Sequence, residues 1–482
     1  MKKALSLILA LVFVVALFAG CGGLTNEPAN NTPTQAPSNN EPSNNEPANN
    51  EPANNEPANN EPTPTEEPPK STDGYAPFVD VQGVTEDTIY VGNTAATTGA
   101  FATVGVPFNA GMEAAFKAYN DAGGFDGKKI ELIHYDDGFD GAQGLTYTQT
   151  LVEEDHIFAL VGHFGTNTVG ATLDYIKEKG IPMVYAATGI EALYQEGATG
   201  NDKVVYPVQP IYNAEGRVLL ARALADKESG MGLGGTKIGV IATTDDAGAG
   251  LLYGVKREAQ DLNPDIIYQE VDAAATDYSA AVNVLMNAGC DAVIACMNQA
   301  PLATLMASMR DAGFEADVVT SYVNASQTTL GAFVDNGGIT ENRRVYSTAW
   351  LDTSTEEGMA GYMEYYAAIA AWELENGLSG AEYALNSYGM AGYIAGNLFV
   401  QALTALHDKG LELDWYNFND VMEELVFNVP MGGEIHYHNG DRLGITSLAL
   451  NTISLEPDEN GVYNLVVVAP IDSIENVRAA IK

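Results

Sequence analysis

Cysteine is scarce in this chain of 482 residues, which contains three. Cys21 follows an apolar leader, whereas Cys290 and Cys296 flank the run Asp-Ala-Val-Ile-Ala. If that run is a strand, the two Cα atoms are roughly 20 Å apart at ~3.3 Å per residue, and a disulfide needs about 4.4–6.8 Å. We therefore predict two buried free thiols, no shared metal, and a fold that depends on a large core.

Basic residues are also scarce, with 22 Lys and Arg against 64 Asp and Glu, which gives a formal net charge of −42. Residues 1–20 carry +2 and residues 21–77 carry −8, so −36 remains on residues 78–482. Such a surface repels nucleic acid and anionic lipid. We expect neither as a partner of the folded part.

Catalytic and metal-binding motifs are missing as well. The chain has no Gly-x-Ser-x-Gly, Cys–His or paired-carboxylate motif that would indicate an enzyme. Asp136, Asp137 and Asp140 do not have EF-hand spacing and are interpreted as a solvated turn. His436 and His438 have no third ligand nearby. We predict no enzyme, no metal and no cofactor.

The N-terminus has the layout of a secretory signal peptide over residues 1–20, with Lys2 and Lys3 before an apolar run. The sequence Phe-Ala-Gly-Cys at residues 18–21 resembles a bacterial lipobox. That resemblance implies that the Cys21 thiol is acylated and anchors an exported protein to the cell membrane. An ordinary signal peptide with an incidental cysteine is the alternative.

Residues 21–77 contain almost no apolar side chain that could enter a core. The pentad Glu-Pro-(Ala/Ser)-Asn-Asn recurs from Glu41 and ends at Pro62. Proline in every fifth position prevents a helix, and Asn and Glu provide nothing to bury. We expect an extended, solvated tether.

From residue 88 onward, strand and helix patterns alternate with short loops, and the alternation restarts after residue 208. Repeated βα units indicate a parallel sheet covered on both faces. Two such arrays predict an α/β protein with two doubly wound parallel-sheet lobes, whose strand ends face a common cleft. The predicted strands are 88–95, 129–135, 157–162, 181–186, 204–208, 237–242, 266–271, 291–296 and 317–323. The predicted helices are 107–120, 142–154, 168–179, 213–227, 251–261, 279–287 and 302–312.

Two segments carry a family resemblance. They read TTGAFATVGVPFNAGMEAAFKAYNDAGGFDGKKIELIHYDDGFD and VGHFGTNTVGATLDYIKEKGIPMVYAATG. Their Thr-Gly turn, Gly-Ala-rich helix, Asn-x-x-Gly-Gly stop, Asp-Asp pair and two ligand loops resemble those of the branched-chain amino-acid-binding proteins, in the same order. The resemblance implies a type 1 periplasmic-binding fold that serves the permease and ATPase of an ABC importer.

The same resemblance implies three hinge crossings between the lobes, near residues 207–211, near Tyr346 and after Asp441. Residues 78–208 and 346–441 would then form lobe 1. Residues 209–345 and 442–482 would form lobe 2.

In lobe 1, the resemblance places the ligand carboxylate at Thr166, and both the carboxylate and the ammonium at the backbone of Ala186 and Thr188. The Thr188 hydroxyl would contact the ligand ammonium. Phe101 and Val104, in the first quoted segment, are further candidate ligand-binding residues. The N-terminus of a helix beginning near Thr168 would favour a carboxylate. A helix N-cap is the alternative for each threonine alone.

In lobe 2, the family often has an acid that pairs with the ammonium, but residues 320–321 contain none. Asp245 and Asp246 are candidates to replace it, with a helix N-terminal acid pair as the alternative. Asn298 and Gln299 stand where family members often carry an aromatic. Tyr322 is either an aromatic wall of the site or core.

These observations predict a lipid-anchored extracytoplasmic binding protein whose lobes close over a small polar ligand, an amino acid or a related carboxylate or amide. A ligand-sensing surface receptor is one alternative. An extracellular enzyme is another, disfavoured by the missing catalytic set.

Overall fold

A computed structural model describes residues 73–459 and 461–482. The predicted signal peptide, Cys21 and the pentad repeats lie outside the described residues. The last residues of the predicted tether are described, and Tyr75 among them is buried. Its hydroxyl donates to the Gly180 carbonyl at 2.8 Å, and its ring meets the Tyr416 ring edge-on at 5.2 Å. The packed part of the chain therefore begins before residue 78.

The first sheet has five strands in the order β2-β1-β3-β4-β5, all parallel. Its central strand β3 consists of three fully buried apolar residues, which is typical of a strand covered on both faces. Helices α1 to α3 connect the strands. The bounds are β1 Thr88–Ala95, α1 Ala102–Asp121, β2 Lys129–Asp136, α2 Gly141–Glu153, β3 Ala159–Val161, α3 Thr166–Lys179, β4 Met183–Val184 and β5 Val205–Tyr206.

The second sheet has seven strands in the order β14-β13-β10-β9-β8-β6-β7. The five strands from β10 to β7 are parallel, and β13 and β14 add an antiparallel edge. The bounds are α4 Tyr212–Leu224, β6 Lys237–Thr243, α5 Asp246–Leu262, β7 Asp265–Val271, α6 Ser279–Ala288, β8 Ala292–Cys296, α7 Gln299–Ala312, β9 Asp317–Thr320, α8 Gln327–Asp335, β10 Val345–Ala349, β13 Leu448–Ile453, β14 Leu465–Asp472 and α12 Ile474–Ala479.

Between β10 and β13 the chain returns to the first sheet. The Trp372 indole donates to Glu113 of α1 at 3.0 Å, and the Trp415 indole donates to the Phe158 carbonyl at 2.7 Å. Because β10 belongs to the second sheet, the predicted crossing near Tyr346 falls within a strand. The returning elements are α9 Glu356–Glu375, α10 Ser387–Asp408, α11 Trp415–Glu424, β11 Val426–Val429 and β12 Gly433–His436.

Glycines allow backbone contact between helices in both lobes. A Cβ on Gly111 of α1 would lie 1.9 Å from the Gly389 carbonyl oxygen of α10. A Cβ on Gly216 of α4 would lie 2.1 Å from the Leu251 carbonyl oxygen of α5. No side chain fits at these two positions, so the backbones of the paired helices are in direct contact.

The predicted α/β class with parallel sheets is confirmed. Most element bounds agree within a few residues, but α1 begins at Ala102 rather than at residue 107, with Pro107 inside it. The predicted strand 317–323 ends at Thr320 because Ser321 caps a short 3-10 helix, Tyr322–Asn324. Cys290 and Cys296 are buried free thiols, as predicted.

Candidate functional site

Two threonine hydroxyls meet at the carboxyl end of the first sheet. Thr166 is the first residue of α3, after Gly165 with φ 100°, and Thr188 follows β4. Their Oγ1 atoms are 3.0 Å apart, and the residues are only 4% and 1% exposed. Each loop contributes one hydroxyl, so the structure brings together the two residues that the sequence placed in one site.

Backbone hydrogen bonds hold the two loops side by side. Gly165 N–H donates to the Ala187 carbonyl at 3.3 Å, and Ala187 N–H donates to the His163 carbonyl at 2.8 Å. Thr188 N–H donates to the Ala186 carbonyl at 2.9 Å. The backbone groups that the resemblance assigned to a ligand are therefore bonded to each other in this conformation.

Sequence reasoning missed Tyr212, which lies against Gly189, the residue after Thr188. It is the first residue of α4, directly after the predicted crossing at 207–211, and its N–H donates to the Gly189 carbonyl at 2.6 Å. A Cβ on Gly189 would lie 2.8 Å from the Tyr212 ring. Burial raises the pKa of Tyr212, and the nearby Thr166 and Thr188 hydroxyls lower it. An aromatic residue directly after a predicted hinge was the available signal.

Phe101 lies beside the same loops. Its ring stacks on Phe139 with centroids 3.9 Å apart and an interplanar angle of 17°. The Phe139 ring in turn covers Gly165, where an added Cβ would be 3.0 Å from it. Val104, in the first turn of α1, is buried in the core.

Asp137 connects two of the elements that carry the site and does not lie in the environment that the sequence predicted. The sequence predicted a solvated turn, but Asp137 is 1% exposed. Its carboxylate accepts from the hydroxyls of Thr94 at 2.9 Å and Thr168 at 2.6 Å, which ties β1 to α3. Asp140 is the N-cap of α2. Over residues 73–459 and 461–482, no group of three or more His, Cys, Asp or Glu could hold a metal ion.

The two adjacent acids of lobe 2, Asp245 and Asp246, have different surroundings. Asp245 is the N-cap of α5, and its carboxylate accepts from Gly248 N–H at 2.9 Å and from the Thr243 hydroxyl at 2.7 Å. Asp246 is exposed. Its Oδ2 lies 3.7 Å from the position of a Cβ on Gly170, so it faces α3 of the other lobe. The helix-cap interpretation fits Asp245, and Asp246 remains in contact with lobe 1.

Asn298 and Gln299 begin α7. Asn298 occupies the N-cap position without a side-chain cap bond and is buried. The Gln299 amide donates to the Val323 carbonyl at 2.5 Å and to the Tyr388 hydroxyl at 3.1 Å. Because Tyr388 belongs to α10, Gln299 links the two lobes.

Tyr322 connects lobe 2 to the first crossing. Its hydroxyl donates to the Pro210 carbonyl at 2.9 Å and accepts from the Gln209 amide at 2.8 Å. Gln209 also accepts from the Tyr185 hydroxyl of lobe 1 at 3.1 Å. Tyr322 is therefore a buried residue that contacts the first crossing.

A buried acid of lobe 2, Glu215, was also missed. Its carboxylate accepts from the Ser321 hydroxyl at 2.7 Å, from Tyr322 N–H at 2.8 Å and from the Thr348 hydroxyl. Burial raises the pKa of Glu215 to about 7, against these hydrogen bonds, which lower it. α4 thus places a buried carboxylate against residues 321–322, where it holds the loop after β9. A glutamate on the face of α4 that carries Val218 and Leu219 was the available signal.

Two lobes of parallel strands linked by several crossings, with polar loops at the strand ends, define a two-lobed binding protein of the type 1 periplasmic-binding fold. The sequence profile of the periplasmic binding protein family matches residues 88–454. The chain belongs to that family, which confirms the resemblance.

Named relatives are similar over about half of this chain. An amino acid binding protein of Pseudomonas aeruginosa is 24% identical over 246 residues, 47% of this chain and 59% of the relative. Leu/Ile/Val-binding protein homolog 1 of Brucella abortus is 28% identical over 233 residues, 48% of this chain and 60% of the relative. The match thus spans about three fifths of these relatives.

Solved structures share the fold over most of the chain. A fatty acid ABC transporter substrate-binding protein from Thermomonospora curvata superposes with a TM-score of 0.67 at 18% identity, covering 83% of this chain and 96% of that one. A branched-chain amino acid ABC transporter protein from Thermus thermophilus, with bound valine, gives 0.65 at 15% identity, covering 82% and 100%.

Proposed function

We propose that this protein is a lipid-anchored extracytoplasmic solute-binding protein. It delivers a small polar ligand, an amino acid or a related carboxylate or amide, to the permease and ATPase of an ABC importer. The observation that carries the proposal is the Thr166–Thr188 pair, two buried hydroxyls from two adjacent strand ends with 3.0 Å between their oxygens.

The surroundings of the pair suit an anionic oxygen. Thr166 begins a helix of 14 residues, whose N-terminus carries a partial positive charge and free N–H groups. The Thr166 and Thr188 hydroxyls can also donate hydrogen bonds to a carboxylate at this helix N-terminus. The relatives named above as amino acid and Leu/Ile/Val-binding proteins support this ligand class.

Closure of the two lobes over the ligand connects ligand binding to delivery. Tyr212 and Asp246 of lobe 2 approach Gly189 and Gly170 beside the threonine loops. Gln299 connects the lobes at a separate place, through Tyr388. A ligand that touches both lobes stabilises this closed arrangement, which a transporter can distinguish from the open one.

The proposal is tested by a thermal-shift screen of the soluble domain against amino acids, amides and small carboxylates, followed by calorimetry with the ligand found. Thr166→Ala and Thr188→Ala should each weaken binding by about 1.5–3 kcal/mol, the range for a hydrogen bond to a charged group. That is roughly a ten- to hundredfold loss of affinity. Thr146→Ala is the control, because its exposed hydroxyl bonds only within α2. Unchanged affinity in both site variants would place the ligand elsewhere.

The anchor is tested separately. Cys21→Ser should release the protein from the membrane fraction or leave its precursor unprocessed, with the melting temperature of the folded part unchanged. A variant that is still acylated and processed like the wild type would contradict the lipoprotein assignment.

A further inference from the structure

We propose that the ligand carries a second hydrogen-bonding group, a carboxamide or a carboxylate, at the end remote from the Thr166–Thr188 pair, and that Asn298 of lobe 2 binds this group. The inference rests on the proposed function and narrows its ligand class. Two features of the start of α7 support it, an asparagine amide without a partner and backbone N–H groups without a cap.

Asn298 is almost fully buried, yet its amide has no partner in the fold. The residue lies two positions after the end of β8, occupies the N-cap position of α7 and is 6% exposed. Its side chain makes no cap hydrogen bond and, over residues 73–459 and 461–482, no other hydrogen bond either. A buried amide loses its hydrogen bonds to water, so this position is unfavourable unless another molecule bonds to the amide.

The sequence of α7 explains why the amide is free. An N-cap side chain usually accepts from the N–H of the second or third residue of the helix. The third residue of α7 is Pro301, which has no N–H. The N–H groups of Gln299 and Ala300 have no acceptor within the helix. A helix of 14 residues thus begins with donors and a partial positive charge that its own N-cap residue does not use.

The start of α7 lies where lobe 2 meets lobe 1. The Gln299 amide donates to the Tyr388 hydroxyl at 3.1 Å, and that hydroxyl donates to the Val323 carbonyl at 2.9 Å. Tyr388 belongs to the first turn of α10 in lobe 1. Asn298 directly precedes Gln299 and therefore borders the cleft between the lobes.

Aromatic rings connect this place with the threonine loops. The ring of Tyr322, the residue before Val323, lies 6.3 Å from the Tyr212 ring. The Tyr212 ring packs against Gly189, the residue after Thr188. Both places are at the carboxyl ends of parallel strands, where open α/β sheets bind their ligands. The cleft thus has the threonine hydroxyls on lobe 1 and the start of α7 on lobe 2.

A carboxamide or a carboxylate matches the groups at the start of α7. Its oxygen accepts from the Asn298 amide and from the helix N–H groups. The NH₂ group of a carboxamide also donates to Asn298 Oδ1. An aliphatic group of the same shape would cover these groups without bonding to them, and a site built for hydrogen bonds rejects such an analogue.

The first measurement compares ligands of matched shape on the wild-type soluble domain by calorimetry. L-asparagine and L-aspartate have the branched outline of L-leucine, and L-glutamine and L-glutamate have that of L-homoleucine. Succinamate and succinate have that of 4-methylpentanoate, which lacks an ammonium group. In at least one set, a polar member should bind at least about tenfold tighter than the aliphatic member. A smaller ratio in every set that binds would make the inference wrong and leave the proposed function standing. No binding in any set at millimolar concentration would contradict both.

The second measurement tests Asn298. Asn298→Leu should weaken binding of the preferred polar ligand at least about tenfold and change binding of its aliphatic counterpart less than about threefold. Because the Asn298 side chain bonds to nothing in the fold, the melting temperature should change by less than about 2 °C. Asn298→Asp distinguishes the two ligand groups, since its added charge repels a carboxylate more than a carboxamide.

Asn376→Leu is the matched control. This exposed asparagine at the end of α9 donates to the Trp372 carbonyl of its own helix, and its replacement should leave both affinities unchanged. An equal effect of Asn298→Leu on the polar and the aliphatic ligand would remove Asn298 from the site. A large fall in melting temperature with unchanged affinity would assign it to the core. Should Asn298→Leu not fold, Asn298→Ala provides the same comparison, because it removes the amide without adding volume.

Discussion

The two lobes end their parallel strands in different ways. In lobe 1, the loops after β3 and β4 place the hydroxyls of Thr166 and Thr188 against each other. In lobe 2, Asp245 caps α5, and Glu215 of α4 accepts from Ser321 after β9 and from Thr348 of β10. Lobe 1 thus brings two hydroxyls together at its strand ends, and lobe 2 uses polar side chains to fix its own loops.

The largest expected effect is the loss of stability when the hydrogen bonds of Glu215 in lobe 2 are removed. Glu215→Ala should lower the free energy of unfolding by about 3–5 kcal/mol at pH 5, because three buried donors lose their acceptor and each costs about 1–3 kcal/mol. Urea denaturation measures this change. The control is Glu228→Ala, whose side chain is 90% exposed and should change stability by less than about 0.5 kcal/mol. Equal effects of the two variants would contradict the structural role of Glu215.

A second effect follows from the pKa of Glu215, raised from 4.5 to about 7 by burial. Between these values the folded protein holds a proton that the unfolded chain has released, so the free energy of unfolding falls as pH rises. Through Glu215 the free energy of unfolding falls by on the order of 3 kcal/mol. This group gives no pH dependence of stability below pH 4.5 or above pH 7. Tyr212, Tyr322 and Cys296 lie nearby and keep their protons in this range, because burial raises the pKa of each.

The matched variant for the pH effect is Glu215→Gln, which keeps the shape of the side chain and does not titrate. Urea denaturation from pH 4 to 8 should give a smaller slope for the variant than for the wild type. Parallel curves would show that Glu215 titrates normally.

The smallest expected effect sharpens the contrast between the lobes. Asp245→Ala should cost about 1 kcal/mol of stability, the usual value for a lost N-cap, and should leave ligand affinity unchanged. Asp246→Ala, one residue further on, should change stability by a few tenths of a kcal/mol, because it affects only the charge at the helix terminus. Urea denaturation and calorimetry on both variants distinguish a helix cap from a ligand-binding residue. A loss of affinity in Asp245→Ala would assign this residue to the ligand site.

The sequence was informative wherever one segment determined its own structure. The run Thr88–Ala95 was predicted with its observed bounds, because a strand-like run there leads into the turn sequence Thr-Thr-Gly at residues 97–99. The contact between Thr166 and Thr188 could be predicted because each follows a strand in a loop that resembles a ligand loop of the family. The pairing of Glu215 with Ser321 and Thr348 could not be read from the chain, since these residues are 106 and 133 positions away. Tyr212 was missed for the same reason, because its partners belong to the other lobe.

The glycine crossing of α1 and α10 has a consequence for the order in which the protein folds. Gly111 meets Gly389 without intervening side chains, so α1 finds its partner only after most of the chain exists. Contacts between such distant segments form slowly and leave apolar helix faces uncovered in the meantime. A chain shortened before residue 387 would leave α1 without this cover. We expect lobe 1 to be completed late, after the parallel strands of lobe 2 have been made.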